Sequence, residues 1–390
     1  MNGRGWDLLG VTTAAFFATM VARLSLSPLV PDIIDAFAVS KSTVGLALSG
    51  MWAAYALFQF PGGILADRIG ERRVVLLAMG ATGTACAVLA AAPTFPLFAL
   101  FAVVLGASAG LYFTAGVAFL TGQFEDTGRA LGVHEIGASS AGLVAPVASA
   151  YAATRVGWWG AGPLVPAAVA GVVFVLFAWR VPATPPSAPE QSLSDQVDVS
   201  RLLALLGRPS VLFTTVIAMV GFFTWQSFSS FFPTFLEEYA GLSTPRASLV
   251  FGVTFAITIG AAPALGWASD ATGRDAAIAV SLVSGVAGYA LFLFLDGPLA
   301  VAAGTVLVAV GLSWPGVVNS RFMDHLGPEE RGTGFGMVRT VVMLVSSLGS
   351  VVTGTLAERV SWLAAYGLVA ALLGLLVALL VCNRVLGIDA

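Results

Sequence analysis

The sequence predicts an all-α polytopic membrane protein of twelve transmembrane helices, arranged as two six-helix bundles related by a pseudo-two-fold axis. Three observations lead there: an apolar composition, twelve punctuated apolar runs, and an internal repeat with an offset near 203 residues.

Of 390 residues, 58% are hydrophobic and 10% are charged, and the mean hydropathy is +0.92. An ordinary globular domain carries about 25% charged residues. The 18 basic and 21 acidic side chains are too few to solvate a fold of this length. Lipid is therefore the solvent for most of its surface, and the bilayer is its first partner. The net charge of −3 and the lack of a basic tract exclude a nucleic-acid partner. Cys86 and Cys382 lie in apolar runs, with no CxxC and no ligand spacing around them, and read as small hydrophobes.

A hydrocarbon core of about 30 Å takes about 20 apolar residues per helix. The runs lie near 8–30, 44–65, 74–92, 97–121, 131–153 and 162–179, then 211–236, 248–268, 277–295, 298–318, 335–356 and 362–382. The first is a span and not a cleaved leader, because a later segment matches it. Basic residues set the orientation. With the N-terminus inside, the inner segments hold twelve arginines (4, 68, 72, 73, 129, 180, 201, 208, 274, 321, 331 and 384), and the outer loops hold only Lys41, Arg155, Arg246 and Arg359. Both termini are thus expected on the cytoplasmic side of the cell membrane.

One long connector, rich in Pro and Ser, interrupts the rhythm. It divides the chain into an N-terminal bundle (1–180), a central loop (181–208) and a C-terminal bundle (209–390). Within the loop, "SRLLALLGRPS" reads as a short surface helix with Ser200 as its N-cap.

The two bundles read as copies. Gly63, Asp67 and Gly70 of "GGILADRIGERR" align with Gly266, Asp270 and Gly273 at an offset of 203. "EDTGRALG" (125–132) aligns with "EERGTGFG" (329–336), and Pro31, Asp35 and Ser40 align with Pro233, Glu237 and Ser243. Six spans per copy return the chain to the same face, so the copies are parallel.

The Gly-x-Leu-Ala-Asp-Arg-x-Gly pattern after span 2, its weaker copy after span 8, the twelve spans and the central loop together resemble the major facilitator superfamily. The resemblance implies a secondary active transporter that works by alternating access, with spans 1, 4, 7 and 10 lining a central cavity. It also implies that Asp67 sits near the N-terminus of span 11, around Gly334 and Gly336, where the helix dipole favours an anion. Arg72 would reach Glu125 or Asp126. With Arg68, Gly63, Gly70, Asp270 and Gly273, these residues form the expected gate. Span 4 lacks the Arg often found there in proton-coupled members, the Gly-Pro antiporter signature of span 5 is vestigial, and Glu71 stands where a basic residue is common. These departures count against proton antiport.

Charges within spans cost roughly 3 kcal/mol or more near the bilayer centre, so each needs a partner or a purpose. Arg23 lies some fifteen residues into span 1, about 22 Å along the axis at 1.5 Å per residue. It reads either as a structural or snorkelling group or as a substrate contact, and a guanidinium fork suits a carboxylate or phosphate. The repeat places Gln226 of span 7 opposite it, with Trp225 and Ser229 nearby. Tyr112 and Thr114 of span 4, and Trp314 and Asn319 of span 10, are further cavity candidates. His134 and Glu135 open span 5; Glu135 aligns with Arg339 of span 11 at offset 204 and is expected at the same height in the opposite bundle. Gly106 and Gly110 read as a close helix crossing.

A small-molecule substrate, a small organic anion in first place, is the expected partner of a monomeric chain. Efflux of amphiphilic compounds by proton antiport is the alternative, and a non-transporting receptor on the same fold the third reading. No metal-ligand cluster, nucleophile constellation or Walker loop is present in the sequence, so no enzyme, metal or cofactor is expected. The driving ion, H+ or Na+, stays open.

Overall fold

A computed structural model describes residues 3–188, 199–327, 330–331 and 333–387. Part of the proline-rich central loop, residues 189–198, lies outside the described residues. Among the described residues, twelve helices are long and apolar enough to cross a membrane, and none forms a strand. They run Gly5–Phe37, Lys41–Ile69, Glu71–Ala90, Phe95–Gln123, Thr127–Val156 and Ala161–Arg180, then Pro209–Glu238, Thr244–Thr272, Arg274–Phe294, Pro298–His325, Gly334–Arg359 and Trp362–Val385. We number these spans 1 to 12. Many outrun the apolar runs in the sequence, because a helix satisfies its own backbone and continues past the hydrocarbon into polar residues such as Asp32, Asp35, Asp67 and Arg68.

Local sequence explains the helix ends. The Ser40 hydroxyl accepts from Thr43 N to cap span 2, Asp126 accepts from Arg129 N to cap span 5, and Ser361 accepts from Ala364 N to cap span 12. The repeat is visible in these ends. Ser40 and Ser243 occupy the N-cap positions of spans 2 and 8. Gly70 and Gly273 end spans 2 and 8 in the same conformation, with φ 87° and 93° and ψ 142° and 154°. That region of backbone space is nearly reserved for glycine. The short surface helix runs Val199–Leu206, so Ser200 lies within its first turn and not at its cap.

Three spans are broken. Span 1 passes through a 3₁₀ turn at Ser27–Leu29 beside Pro28 and Pro31, span 10 breaks before Pro315, and span 11 breaks at Ser347. Small residues set the closest crossings. Gly106 and Gly110 of span 4 lie on the carbonyls of Met51 and Tyr55 of span 2, where a Cβ would collide.

We call the face at which span 1 begins the near face. At the opposite, far face the two bundles are fastened together. Lys41 Nζ lies 2.9 Å from Glu238 Oε2, and Ser42 N donates to Glu358 Oε2 at 2.8 Å. Deeper in, Ser49 Oγ donates to Ser347 O at 2.6 Å and accepts from Val351 N at 3.0 Å, while Ser27 Oγ donates to Ser230 O at 3.1 Å. Gly45 on Ser350 O, Gly354 on Lys41 O and Gly252 on Leu143 O let backbones of opposite bundles touch. The phenylalanines of span 7 belong to this end. Phe228, Phe231, Phe232 and Phe235 are fully buried and pack against Phe251, Trp362 and Tyr366, with Phe235 and Tyr366 rings 4.3 Å apart. Most of the aromatic run of span 7 is therefore core.

Candidate functional site

Between the bundles lies a cavity of about 390 Å³. Its walls come from both copies: Phe16, Met20 and Arg23 of span 1, Trp52 and Tyr55 of span 2, Phe113 of span 4, Glu135, Ala138 and Ser139 of span 5, then Phe222, Trp225 and Gln226 of span 7, Phe255 of span 8, Asn319 of span 10, and Arg339 and Met343 of span 11. Glu135 of span 5 and Gly316 of span 10 are exposed in the cavity wall on the near-face side. Spans 1, 4, 7 and 10 contribute, and spans 2, 5, 8 and 11 contribute as well.

Arg23 is the centre of this site. Only 3% of it is exposed, yet its partners are weak: Nε donates to Thr19 O at 3.2 Å and Nη2 contacts Met20 Sδ at 2.7 Å. The guanidinium carbon stands 4.3 Å from the Tyr55 ring centroid and 5.1 Å from that of Trp52. Two aromatic faces hold the cation in place. They supply no full negative charge, and among the described residues no carboxylate pairs with it. The arrangement is a fixed, desolvated, uncompensated guanidinium in a cavity wall, which an anion would complete.

Gln226 faces the same space from the equivalent position of the other bundle, and its buried Oε1 has no hydrogen-bond partner. Trp225 stands edge-on to Trp52, with centroids 5.3 Å apart. Arg339 lies over Phe113 at 5.2 Å, and its buried Nε is also without a partner. Glu135 and Arg339 share the cavity, but among the described residues no ion pair joins them in this conformation.

Other candidates lie elsewhere. Tyr112 is buried behind the wall; its hydroxyl donates to Thr12 O at 2.6 Å and lies 2.9 Å from His134 Nε2. With the phenolic proton committed to Thr12, the His134 nitrogen must carry the proton of the second bond. Phe16 stacks on His134 at 4.4 Å, so this pair supports the wall from behind. Thr114 donates to Gln59 O and Ser229 to Gln226 O, both within helix crossings or turns. Trp314 is buried against Phe222 and Gly221. Phe113, between the two span 4 candidates, is the residue that meets the cavity. A 100° step per residue separates the three, and an apolar helix carries no mark of its rotation at that precision.

The gate residues also differ from expectation. Asp67 Oδ1 accepts from Ser187 Oγ at 2.8 Å and Asp67 O accepts from Ala188 N at 3.0 Å; among the described residues it makes no hydrogen bond or ion pair with span 11. Arg72 does not meet Glu125 or Asp126. Its Nε and Nη2 donate to Val181 O and Ala178 O, each at 2.7 Å, because the free carbonyls at the end of span 6 lie closer. Asp126 is instead the cap of span 5. In the second copy Arg274 binds Asp270 and Asp324 within its own bundle. Arg321, expected in an inner loop, is buried and donates to Asp275 Oδ1 at 2.8 Å. Gly63 makes no close approach.

The model for the Major Facilitator Superfamily matches residues 11–323. The chain belongs to that superfamily. Its fold and family are those of transporters, and it is an integral, multi-pass membrane protein. Among similar proteins, the hexuronate transporter of Bacillus subtilis is 22% identical over 90% of this chain and 89% of its own. The transcription regulatory protein OpdE of Pseudomonas aeruginosa is 25% identical over 95% of this chain and 92% of its own. A variant of the nucleoside transporter NupG superposes with a TM-score of 0.81 at 14% identity, covering 96% of this chain and 99% of that one. A D-xylose-proton symporter superposes at 0.77 and 15%, covering 96% and 97%. These last two likenesses speak for the facilitator fold alone.

Proposed function

We propose that this facilitator carries a small organic anion across the cytoplasmic membrane by alternating access, and that the structure represents its inward-open state. The orientation rests on the bias of basic residues, which stays eleven to four once Arg321, buried in span 10, is set aside, and which favours the near face as the cytoplasmic one. The far face, fastened by Lys41, Glu238 and Glu358, is then the closed outer side. Arg23 carries the substrate assignment: a buried cation without a carboxylate partner among the described residues favours a carboxylate-bearing solute, and the unpartnered acceptor Gln226 Oε1 in the same cavity favours a hydroxyl or other donor on that solute. The aromatic rings around it favour an apolar body on that solute. The name of the hexuronate transporter, a full-length relative, is consistent with an anionic cargo.

The test is flux into proteoliposomes with a panel of carboxylates, phosphates and hydrophobic cations, with and without a pH gradient. Carboxylate uptake by the parent should fall at least tenfold in Arg23→Gln at equal folded protein, and partly return in Arg23→Lys. Unchanged uptake in Arg23→Gln would sink the assignment. Seven aromatic residues in the wall favour a second reading, efflux of amphiphilic cations or neutral compounds. Saturable counterflow of such compounds, without carboxylate transport, would establish it. Binding without flux of any member of the panel would mark a receptor.

A further inference from the structure

A second cavity lies on the lipid-facing surface and has no part in the central site. It is a groove of about 790 Å³ between spans 8 and 10, at the far face. Its floor and walls are apolar: Leu249, Val253 and Ile257 on span 8 face Val301 and Val306 on span 10. Thr305 also lines it, but its hydroxyl is committed to Val301 O at 2.6 Å. One charged side chain, Arg246, stands at its mouth, and among the described residues no carboxylate pairs with it.

The dimensions fit one occupant. From Arg246 to Ile257 the groove follows span 8 for about 16 Å at 1.5 Å per residue. That is about half of a hydrocarbon core of roughly 30 Å. The groove thus starts at the level of the headgroups, where Arg246 is exposed, and ends near the midplane. It matches the depth of one leaflet, with a cation at the phosphate level and methyl groups below. A polar solute would leave its hydrogen bonds unmet in such walls, whereas an acyl chain fills them without loss. A protein segment would gain little beyond what lipid tails supply. We propose that this groove holds a single anionic phospholipid, its acyl chain between spans 8 and 10 and its phosphate on Arg246.

A net-negative headgroup is favoured over a zwitterionic one, because the latter brings its own cation beside the guanidinium. The molecule contains an internal control. A third cavity, lined by Leu77, Gly80, Ala81, Phe101 and Phe174 among others, also faces lipid but has no charged residue in its wall, and should not select a headgroup.

The test uses the full chain in detergent, incubated with dioleoyl phosphatidylglycerol or dioleoyl phosphatidylcholine and analysed by native mass spectrometry. The parent should retain one phosphatidylglycerol about fivefold better than phosphatidylcholine, the effect of roughly one cation near an anionic headgroup. Arg246→Gln, an exposed change that leaves the packing intact, should bring the two lipids level. Val253→Trp should fill the groove and lower retention of both, with melting temperature measured in parallel. A preference that survives Arg246→Gln would overturn the proposal. So would equal retention of both lipids by the parent, or a dimer of the chain that Val253→Trp dissolves.

Discussion

Lys41, the only lysine in the chain, places its ammonium 2.9 Å from Glu238 Oε2 and 5.8 Å from the Trp362 ring, and the Trp362 indole donates to the same carboxylate oxygen at 3.0 Å. One cation thus ties the start of span 2 to the end of span 7 and the start of span 12, joining the bundles across the far face. Half-exposed pairs of this kind contribute up to about 1 kcal/mol, or up to about fivefold in a two-state equilibrium. Lys41→Ala should therefore raise access to the far face by that order. Ser27, 2% exposed behind the pair, reports it as Ser27→Cys in a background lacking Cys86 and Cys382. Alkylation from the far side should quicken about threefold to fivefold; an unchanged rate would show that the helix crossings alone hold this face shut.

Gly70 and Gly273 separate two costs that usually come together. Both have positive φ, but a Cβ at Gly70 would also run into the Thr184 carbonyl, whereas nothing lies within 4 Å of one at Gly273. Gly273→Ala should cost the backbone strain alone, of order 1–3 kcal/mol. Gly70→Ala should cost more, and should also loosen the segment that binds Arg72 and Asp67. Thermal unfolding of the two variants measures the difference. Equal losses would mean that the Thr184 contact gives way at no cost.

The sequence carried the architecture for physical reasons. A bilayer demands long apolar helices, so the spans are written in composition, and duplication left pairs such as Gly70 with Gly273 and Ser40 with Ser243 at fixed offset. Arg23, Gln226, Glu135 and Arg339 stood out because polar groups in lipid are costly. Trp52 and Tyr55, which hold Arg23, did not, since aromatic residues in apolar helices are ordinary. Their spacing of three places both on one face of span 2, and an aromatic pair at the depth of a buried Arg was the available signal. The contacts of Asp67 and Arg72 were not legible. They depend on which arrangement the bundles adopt, and a single sequence does not single out one arrangement.

Tyr55 and Trp52 should matter for the site through their ring faces. Tyr55→Phe keeps the face beneath Arg23, so it should leave anion binding within about twofold. Tyr55→Leu removes a desolvated cation–π contact of roughly 1–2 kcal/mol and should weaken binding about fivefold to thirtyfold. Isothermal titration with a transported carboxylate measures both. Equal effects of the two substitutions would mean that the phenol hydroxyl, and not the ring face, supports Arg23.

Arg208 and Glu330 form a two-point pair at the near face, with Nη1 to Oε2 at 2.8 Å and Nη2 to Oε1 at 2.7 Å. The Arg208 guanidinium holds the Glu330 carboxyl below its ordinary range, aided by Gly327 N, and the carboxylate in turn raises Arg208. For a depressed acid, the stabilisation is present above the unfolded value and is lost as pH falls through the folded one. The pair should therefore persist at neutral pH and release only below the usual carboxylate range. Hydrogen exchange in Val199–Leu206, the surface helix just before Arg208, should be slow at neutral pH and faster below about pH 4, the ordinary carboxylate range, after correction for intrinsic rates. Glu330→Gln should show the faster exchange already at neutral pH. A protection profile that ignores both acid and the substitution would assign that helix its hold through Leu205 packing instead.

Glu135 and Arg339 occupy equivalent positions in the two copies and line one cavity without forming an ion pair in this conformation. Rotation of the bundles that closes the near face would bring equivalent residues of spans 5 and 11 towards each other. A pair formed only in that state would contribute to the closed state and not to the open one, which shifts the equilibrium by its own energy. Single substitutions, Glu135→Gln or Arg339→Gln, should each slow transport, because each leaves the other charge unpaired in a closing interface. The exchange Glu135→Arg with Arg339→Glu should recover part of the loss. Flux in the parent, the two single Gln variants and their combination forms a double-mutant cycle, and a coupling of at least about 1 kcal/mol is the expected result. Additive losses would mean that the two charges act separately, each on the substrate or the solvent.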